Sequence, residues 1–110
     1  MSEIPGGVNR RLAPRYVVFR ECQVIFKGTA FDVALLNVSK SGVAVLGSLT
    51  EIAPGDSLDV VIEGIFLHLK AMVVNVNLGR IGAKFDLLPE IATVWEEEFL
   101  QLTAGLPPMD

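Results

Sequence analysis

The chain is poor in the residues on which much protein chemistry depends. Its 110 residues include one cysteine, one histidine, one tryptophan and one tyrosine. A single thiol, Cys22, excludes an internal disulfide and a cysteine-rich zinc site. His68 has no carboxylate or cysteine at ligand spacing, which gives it a structural or surface role. There is no glycine-rich phosphate loop, zinc-ligand spacing or Ser/His/Asp arrangement. Asp56, Asp59 and Glu63 are spread over a loop and the polar edge of a strand, which argues against general acid–base use. No enzyme, no metal and no cofactor is expected. The N-terminus lacks an apolar run of signal-peptide length, and no stretch reaches about 18 uninterrupted apolar residues. The expectation is a soluble, cytoplasmic protein with no direct membrane insertion.

What remains is ample for one folded domain. Apolar residues make up 51% and charged residues 20% of the chain, the balance of a globular domain with one core. The net charge of −4 argues against a nucleic-acid polymer as partner, because proteins that track phosphate backbones are usually basic. The charge is also unevenly placed. Residues 1–20 carry Arg10, Arg11, Arg15 and Arg20 against Glu3 alone, whereas residues 86–110 carry six acids and no base. A small anion is drawn to the first region and repelled by the second.

Residues 1–9, with Pro5-Gly6-Gly7, read as a flexible arm. From Tyr16 to Phe85 the chain reads as about six strands separated by turn residues, with no internal repeat. Cys22, Val24 and Phe26 share the apolar face of the first strand, and Phe19 falls out of that phase, which predicts a bulge near Arg20. After a Lys27-Gly28 turn, Phe31, Val33, Leu35 and Asn37 fall on one side by the two-residue period. A short strand at Gly42–Leu46, another through Leu58, Val60 and Ile62, a long apolar one over Ile65–Val76 and a last one through Ile81, Ala83 and Phe85 complete the set. Ile91, Trp95, Phe99 and Leu102 then recur at helical spacing, with Pro89 fitting the first turn and Gly105 and Pro107 the end. The predicted fold is mostly β: a six-stranded antiparallel β-barrel, or a sandwich of the same strands, with a C-terminal α-helix over residues 10–104, followed by a tail at 105–110. Trp95 is core packing that covers an open end or side of the barrel.

Two clusters carry chemistry. Arg10-Arg11-Leu-Ala-Pro-Arg15 sets guanidinium groups four positions apart, and such forks suit phosphate oxygens, the O6/N7 edge of guanine and aromatic faces. In Asn37-Val-Ser39-Lys-Ser41-Gly42, Asn37 and Ser39 are two apart, so an extended backbone aims both to one side. The inner face of that strand thereby changes from apolar to polar, as at a rim. Gly42 either takes a positive φ or leaves room for a close approach. Each pattern is weak alone: Asn-x-Ser-x-x-Gly also arises from an Asx or Ser turn, and Arg-x-x-x-Arg from solvated surface. Their order and setting describe a pocket for an anionic guanine nucleotide.

The two clusters together resemble the RxxxR and [D/N]xSxxG motifs of the PilZ family, over essentially the whole barrel from Arg10 to about Phe99. Gly82-Ala-Lys-Phe85 also resembles the strand that closes that barrel. The resemblance implies a bacterial, non-enzymatic receptor for cyclic di-GMP that changes shape on binding and controls a downstream effector protein in motility, attachment or exopolysaccharide output. It assigns Arg11 and Arg15 to the first motif and Asn37, Ser39 and Gly42 to the second, with Asn37 standing where many members have Asp. Arg10, just before the first motif, bears on whether one ligand or a stacked pair binds. Two alternatives stay open: a ligand-independent interaction module on the same barrel, and a small barrel for single-stranded nucleic acid. The latter needs surface aromatics along a basic groove, and this acidic chain has eight aromatics, mostly in core phase.

Overall fold

Strand alternation and two tight turns lay out the architecture. In the computed structural model, which describes residues 13–109, six strands precede one helix: β1 (Arg15–Phe26), β2 (Thr29–Ser39), β3 (Gly42–Leu46), β4 (Ser57–Ile62), β5 (Leu69–Asn77), β6 (Arg80–Phe85) and α1 (Pro89–Leu102). Lys27 and Gly28 both take positive φ (51° and 79°), as do Leu78 and Gly79 (52° and 83°). That is the two-residue hairpin geometry whose twist matches the flanking strands. All neighbours are antiparallel, in the order β1-β2-β3-β6-β5-β4, and β4 pairs back to β1 to close the barrel. Closure removes the free strand edges.

The interior is filled by alternate residues of every strand. Val24, Leu35, Val38, Val60, Leu69, Val73 and Ile81 are each at most 1% exposed. The expected bulge in β1 lies between Val17 and Arg20, and Phe19 stands 80% exposed there. The long apolar strand starts later than Ile65: Gly64 has φ 86°, and the Ile65 N–H closes a turn on the Ile62 carbonyl at 3.0 Å. Regular pairing resumes only at Leu69.

The helix covers the end of the barrel where β1, β3 and β5 begin and β2, β4 and β6 finish. Pro89 lies in its first turn. Trp95 is 1% exposed and meets Phe85 edge-on with ring centroids 5.3 Å apart, while Phe99 meets Tyr16 at 5.7 Å. The Trp95 Nε1–H donates to the Lys40 carbonyl at 2.9 Å, and the Lys40 ammonium pairs with Glu96 at 2.7 Å. The Ser39–Gly42 turn is therefore pinned to α1 by its backbone and by a side chain.

Candidate functional site

The position of the second cluster depends on one extra residue in β2. Leu35 pairs with Val45, but Asn37, two residues on, pairs with Ala44 only one residue back. Leu36 is thus a bulge, and a bulge inverts the side-chain phase beyond it. Val38 takes the inward place in the core, while Asn37 and Ser39 turn to the outer wall of the barrel. This corrects the expectation that Asn37 continues the inner row of Val33 and Leu35. The polar residues mark no rim; they belong to the outer face.

That face is built in cross-strand rows. One row runs Arg15, Ser39, Gly42, Lys84 across β1, β2, β3 and β6. The next runs Val17, Asn37, Ala44, Gly82, Asn75 and reaches β5. A depression of about 290 Å³ lies over these rows, bordered by Arg15, Arg80 and Lys84, with Gly42, Ala44 and Gly82 along it. No carboxylate lines it among the described residues. Along its floor are Gly42, Ala44 and Gly82, with the Asn75 carboxamide close over Gly82, and all its charges are positive, so it can accept an anionic ligand. A larger depression, about 460 Å³, lies elsewhere against Glu21, Asp32 and Glu63. Its acids repel phosphate, so charge selects the smaller one.

Gly42 is glycine for a reason of space. Its φ is not positive; instead a Cβ there would stand 2.5 Å from the Ala83 carbonyl oxygen. The obstacle is β6 backbone, which cannot swing aside. Ser39 is 5% exposed, and its hydroxyl is engaged in the turn. The Ser41 N–H donates to Ser39 Oγ at 3.1 Å, and Ser39 Oγ donates to the Gly42 carbonyl at 3.4 Å. Ser39 thus shapes the path between β2 and β3. Asn37 is 4% exposed. Arg15 is exposed, and its carbonyl accepts from the Met109 N–H at 2.7 Å, which ties the chain's tail to the start of β1. Arg10 and Arg11 lie outside the described residues.

Of the expected site residues, the structure brings Arg15, Ser39 and Gly42 together at the depression and sets Asn37 in the adjoining row. Three further residues escaped sequence reading: Asn75, Arg80 and Lys84. A signal for Asn75 was present. Leu35-Leu-Asn-Val-Ser39 and Val73-Val-Asn-Val-Asn77 share one pattern, two apolar residues and then Asn-Val before a polar residue. Each spans a register shift, between Leu35 and Asn37 in one and Val73 and Asn75 in the other.

The remaining reactive groups are inert or solvated. Burial pushes the Cys22 thiol from its usual value near 9 up to about 12. His68 is exposed, with Nδ1 3.8 Å from an Asp59 oxygen. No group of three or more metal-ligating side chains is found among the described residues, and none of their helices is long and apolar enough to cross a membrane.

Comparison with known proteins gives the family. No curated protein matches by sequence. Among solved structures, the inhibitor of motility MotI/DgrA from Bacillus subtilis superposes with a TM-score of 0.65 at 16% identity, covering 87% of this chain and 53% of that one. The PlzA protein of Borreliella burgdorferi, solved in complex with c-di-GMP, gives 0.64 at 17% identity over 84% of this chain and 42% of that one. The PilZ domain of YcgR from Escherichia coli, solved with c-di-GMP, gives 0.66 at 14% identity over 84% and 91%. This chain thus spans about half the length of the first two and nearly all of the third. At these identities the likeness shows the fold. The family model for the PilZ domain matches residues 9–105, and the chain belongs to the PilZ domain family.

Proposed function

We propose that this chain is a non-enzymatic receptor for cyclic di-GMP whose bound form is read by a downstream effector protein. The reading is carried by one observation: Arg15 of the first motif and Ser39 and Gly42 of the second occupy a single cross-strand row beside a basic, carboxylate-free depression. Two structural relatives, PlzA and the YcgR domain, were solved with that ligand, and the motility inhibitor suggests one kind of output.

The ligand offers two phosphates and two guanines and asks for no reaction. Arg15, joined by Arg11 and Arg10 of the preceding segment, supplies charge-assisted bonds to phosphate and to the guanine O6/N7 edge. Ser39 and Gly42 hold the turn so that the ligand meets backbone without obstruction. Asn37 supplies a neutral donor and acceptor where an acid would repel the phosphates. Because the Ser39–Gly42 turn is fastened to Trp95 and Glu96, and Arg15 to Met109, ligand contacts at either motif pull on α1 or the tail. Those C-terminal elements are the surface through which binding reaches a partner.

Isothermal titration of the full chain with cyclic di-GMP, with GTP as the control, tests this. Saturable binding of the cyclic dinucleotide alone is expected. Arg15→Ala should weaken it by about 30- to 1,000-fold, equivalent to ~2–4 kcal/mol, and added salt should weaken the wild type. Absence of binding removes the receptor reading and favours a ligand-independent interaction module.

A further inference from the structure

The geometry points to a second half of this site on β5 and β6: Asn75 and Arg80 hold the half of the dinucleotide that Arg15 does not reach, while Lys84, opposite Gly42, adds a cation to the first half. The inference rests on the receptor reading and extends it to residues outside both motifs.

The argument begins with the two bulges. In β2, Leu36 is the extra residue that turns Asn37 outward. In β5, Val73 pairs with Ala83 and Asn75 with Gly82, so Val74 is extra in the same way. Beyond it Val76 packs toward the core and Asn75 and Asn77 turn outward. Both bulges flank the β3–β6 pair, and both deliver an asparagine to the same row, Asn37, Ala44, Gly82, Asn75. Bulges re-aim side chains in this manner. An antiparallel pair has a local two-fold axis between opposed residues. Here it passes between Ala44 and Gly82, relates Asn37 to Asn75, and relates Ser39 and Gly42 to Asn77 and Arg80. The outer wall therefore carries two half-sites related in backbone and in their asparagines, Asn37 and Asn75, and the proposed ligand has two chemically identical halves.

The detail of the second half fits a purine nucleotide. Gly82 leaves the β6 backbone bare, and Asn75 uses that space: a Cβ at Gly82 would stand 2.8 Å from Asn75 Oδ1. The Asn75 carboxamide thus lies over β6 beside the trough, where it offers both a donor and an acceptor to a base edge. Lys84 stands opposite Gly42 at the near end. Arg80 lies four residues further along β6, about 13 Å away at ~3.3 Å per residue. Arg15 is three strand spacings from Lys84, about 14 Å along the curved wall, and all three cations border the depression. Lys84 acts as a point charge for phosphate, and Arg80 as a planar fork for phosphate or guanine.

Calorimetric titration of Asn75→Ala, Arg80→Ala and Lys84→Ala in the full chain tests the assignment, with thermal denaturation confirming that these outward positions leave the fold intact. Arg80→Ala and Lys84→Ala should each bind cyclic di-GMP about 10- to 100-fold more weakly, as expected for the loss of a hydrogen bond involving a charged group, and Asn75→Ala, which loses a neutral one, about 3- to 10-fold. Gly82→Ala, which displaces the Asn75 carboxamide without removing it, should move affinity in the same direction. If the wild type binds, Arg15→Ala weakens it, and Asn75→Ala and Arg80→Ala match the wild type, the second half-site is wrong and the receptor reading survives. If the wild type does not bind, both fail.

Discussion

Two depressions on the wall of one barrel have opposite chemistry. The trough over β3 and β6 is bordered by Arg15, Arg80 and Lys84 and floored by glycine and alanine; the larger hollow at β1, β2 and β4 is lined by Glu21, Asp32 and Glu63. Both use the same strand alternation and share the same core. The differences lie in the sign of the outward side chains and in their size along the floor. Volume favours the acidic hollow as a ligand site, but a cyclic dinucleotide carries two negative charges, and a carboxylate-lined surface opposes it at close approach. In this barrel electrostatics outranks size.

The sharpest way to break that contrast is to exchange the charges. Arg15→Glu places a carboxylate in the row with Ser39 and Gly42, and should reduce affinity for cyclic di-GMP by more than about 100-fold, since it adds repulsion to the lost contact. Glu63→Lys, the opposite change in the acidic hollow, should alter affinity less than about twofold at physiological salt, where exposed charges are screened within ~8 Å. Titration of both variants side by side measures the ratio. Equal effects would mean that only net charge matters and that the trough has no special standing.

A second comparison concerns the floors. Gly42→Val should cost ~1–3 kcal/mol of folding stability, because its side chain meets β6 backbone and the strands must part. Ala34→Val, also outward on β2 but exposed and away from the trough, should stay within ~0.5 kcal/mol. Urea denaturation of the pair reads the difference. A tolerated Gly42→Val would mean that β3 and β6 can separate there.

How much of this was legible in the sequence follows from the same residues. The strands and α1 were readable because apolar side chains alternate or recur at helical spacing, and Lys27-Gly28 marks a hairpin. The first bulge announced itself through Phe19. The bulges at Leu36 and Val74 did not, because an apolar residue inserted after another apolar one shows only as a change of phase one residue later. Asn37 was therefore assigned to the site by motif but to the wrong face by counting. Asn75 was missed by the same counting, since strict alternation from Val73 points it inward. An asparagine in core phase followed by a valine in solvent phase is the inversion that reveals such a bulge, and it occurs at both places. Gly42 could be flagged but not explained, because the Ala83 carbonyl that excludes a side chain belongs to a strand forty residues on.

The smallest expected effect tests how dry the barrel interior is behind the acidic hollow, where the Cys22 thiol, on the inner face of β1, sits only 4% exposed. Its thiol, desolvated by burial, ionises near 12 in the folded chain against about 9 when unfolded. Over that interval the unfolded chain gives up a proton that the folded chain keeps. The stability contributed by this thiol is fully present below pH 9 and is lost as pH rises toward 12, by at most about 1.4 kcal/mol per pH unit. Cys22→Ala removes this dependence. The stability advantage of the wild type over the variant, measured by urea denaturation at steps from pH 8 to 10.5, should stay constant to about pH 9 and then shrink. Affinity for cyclic di-GMP should be the same in both proteins at pH 7. A constant advantage across the whole range would mean that the thiol titrates as it does in water, and that water reaches the barrel interior behind the acidic hollow.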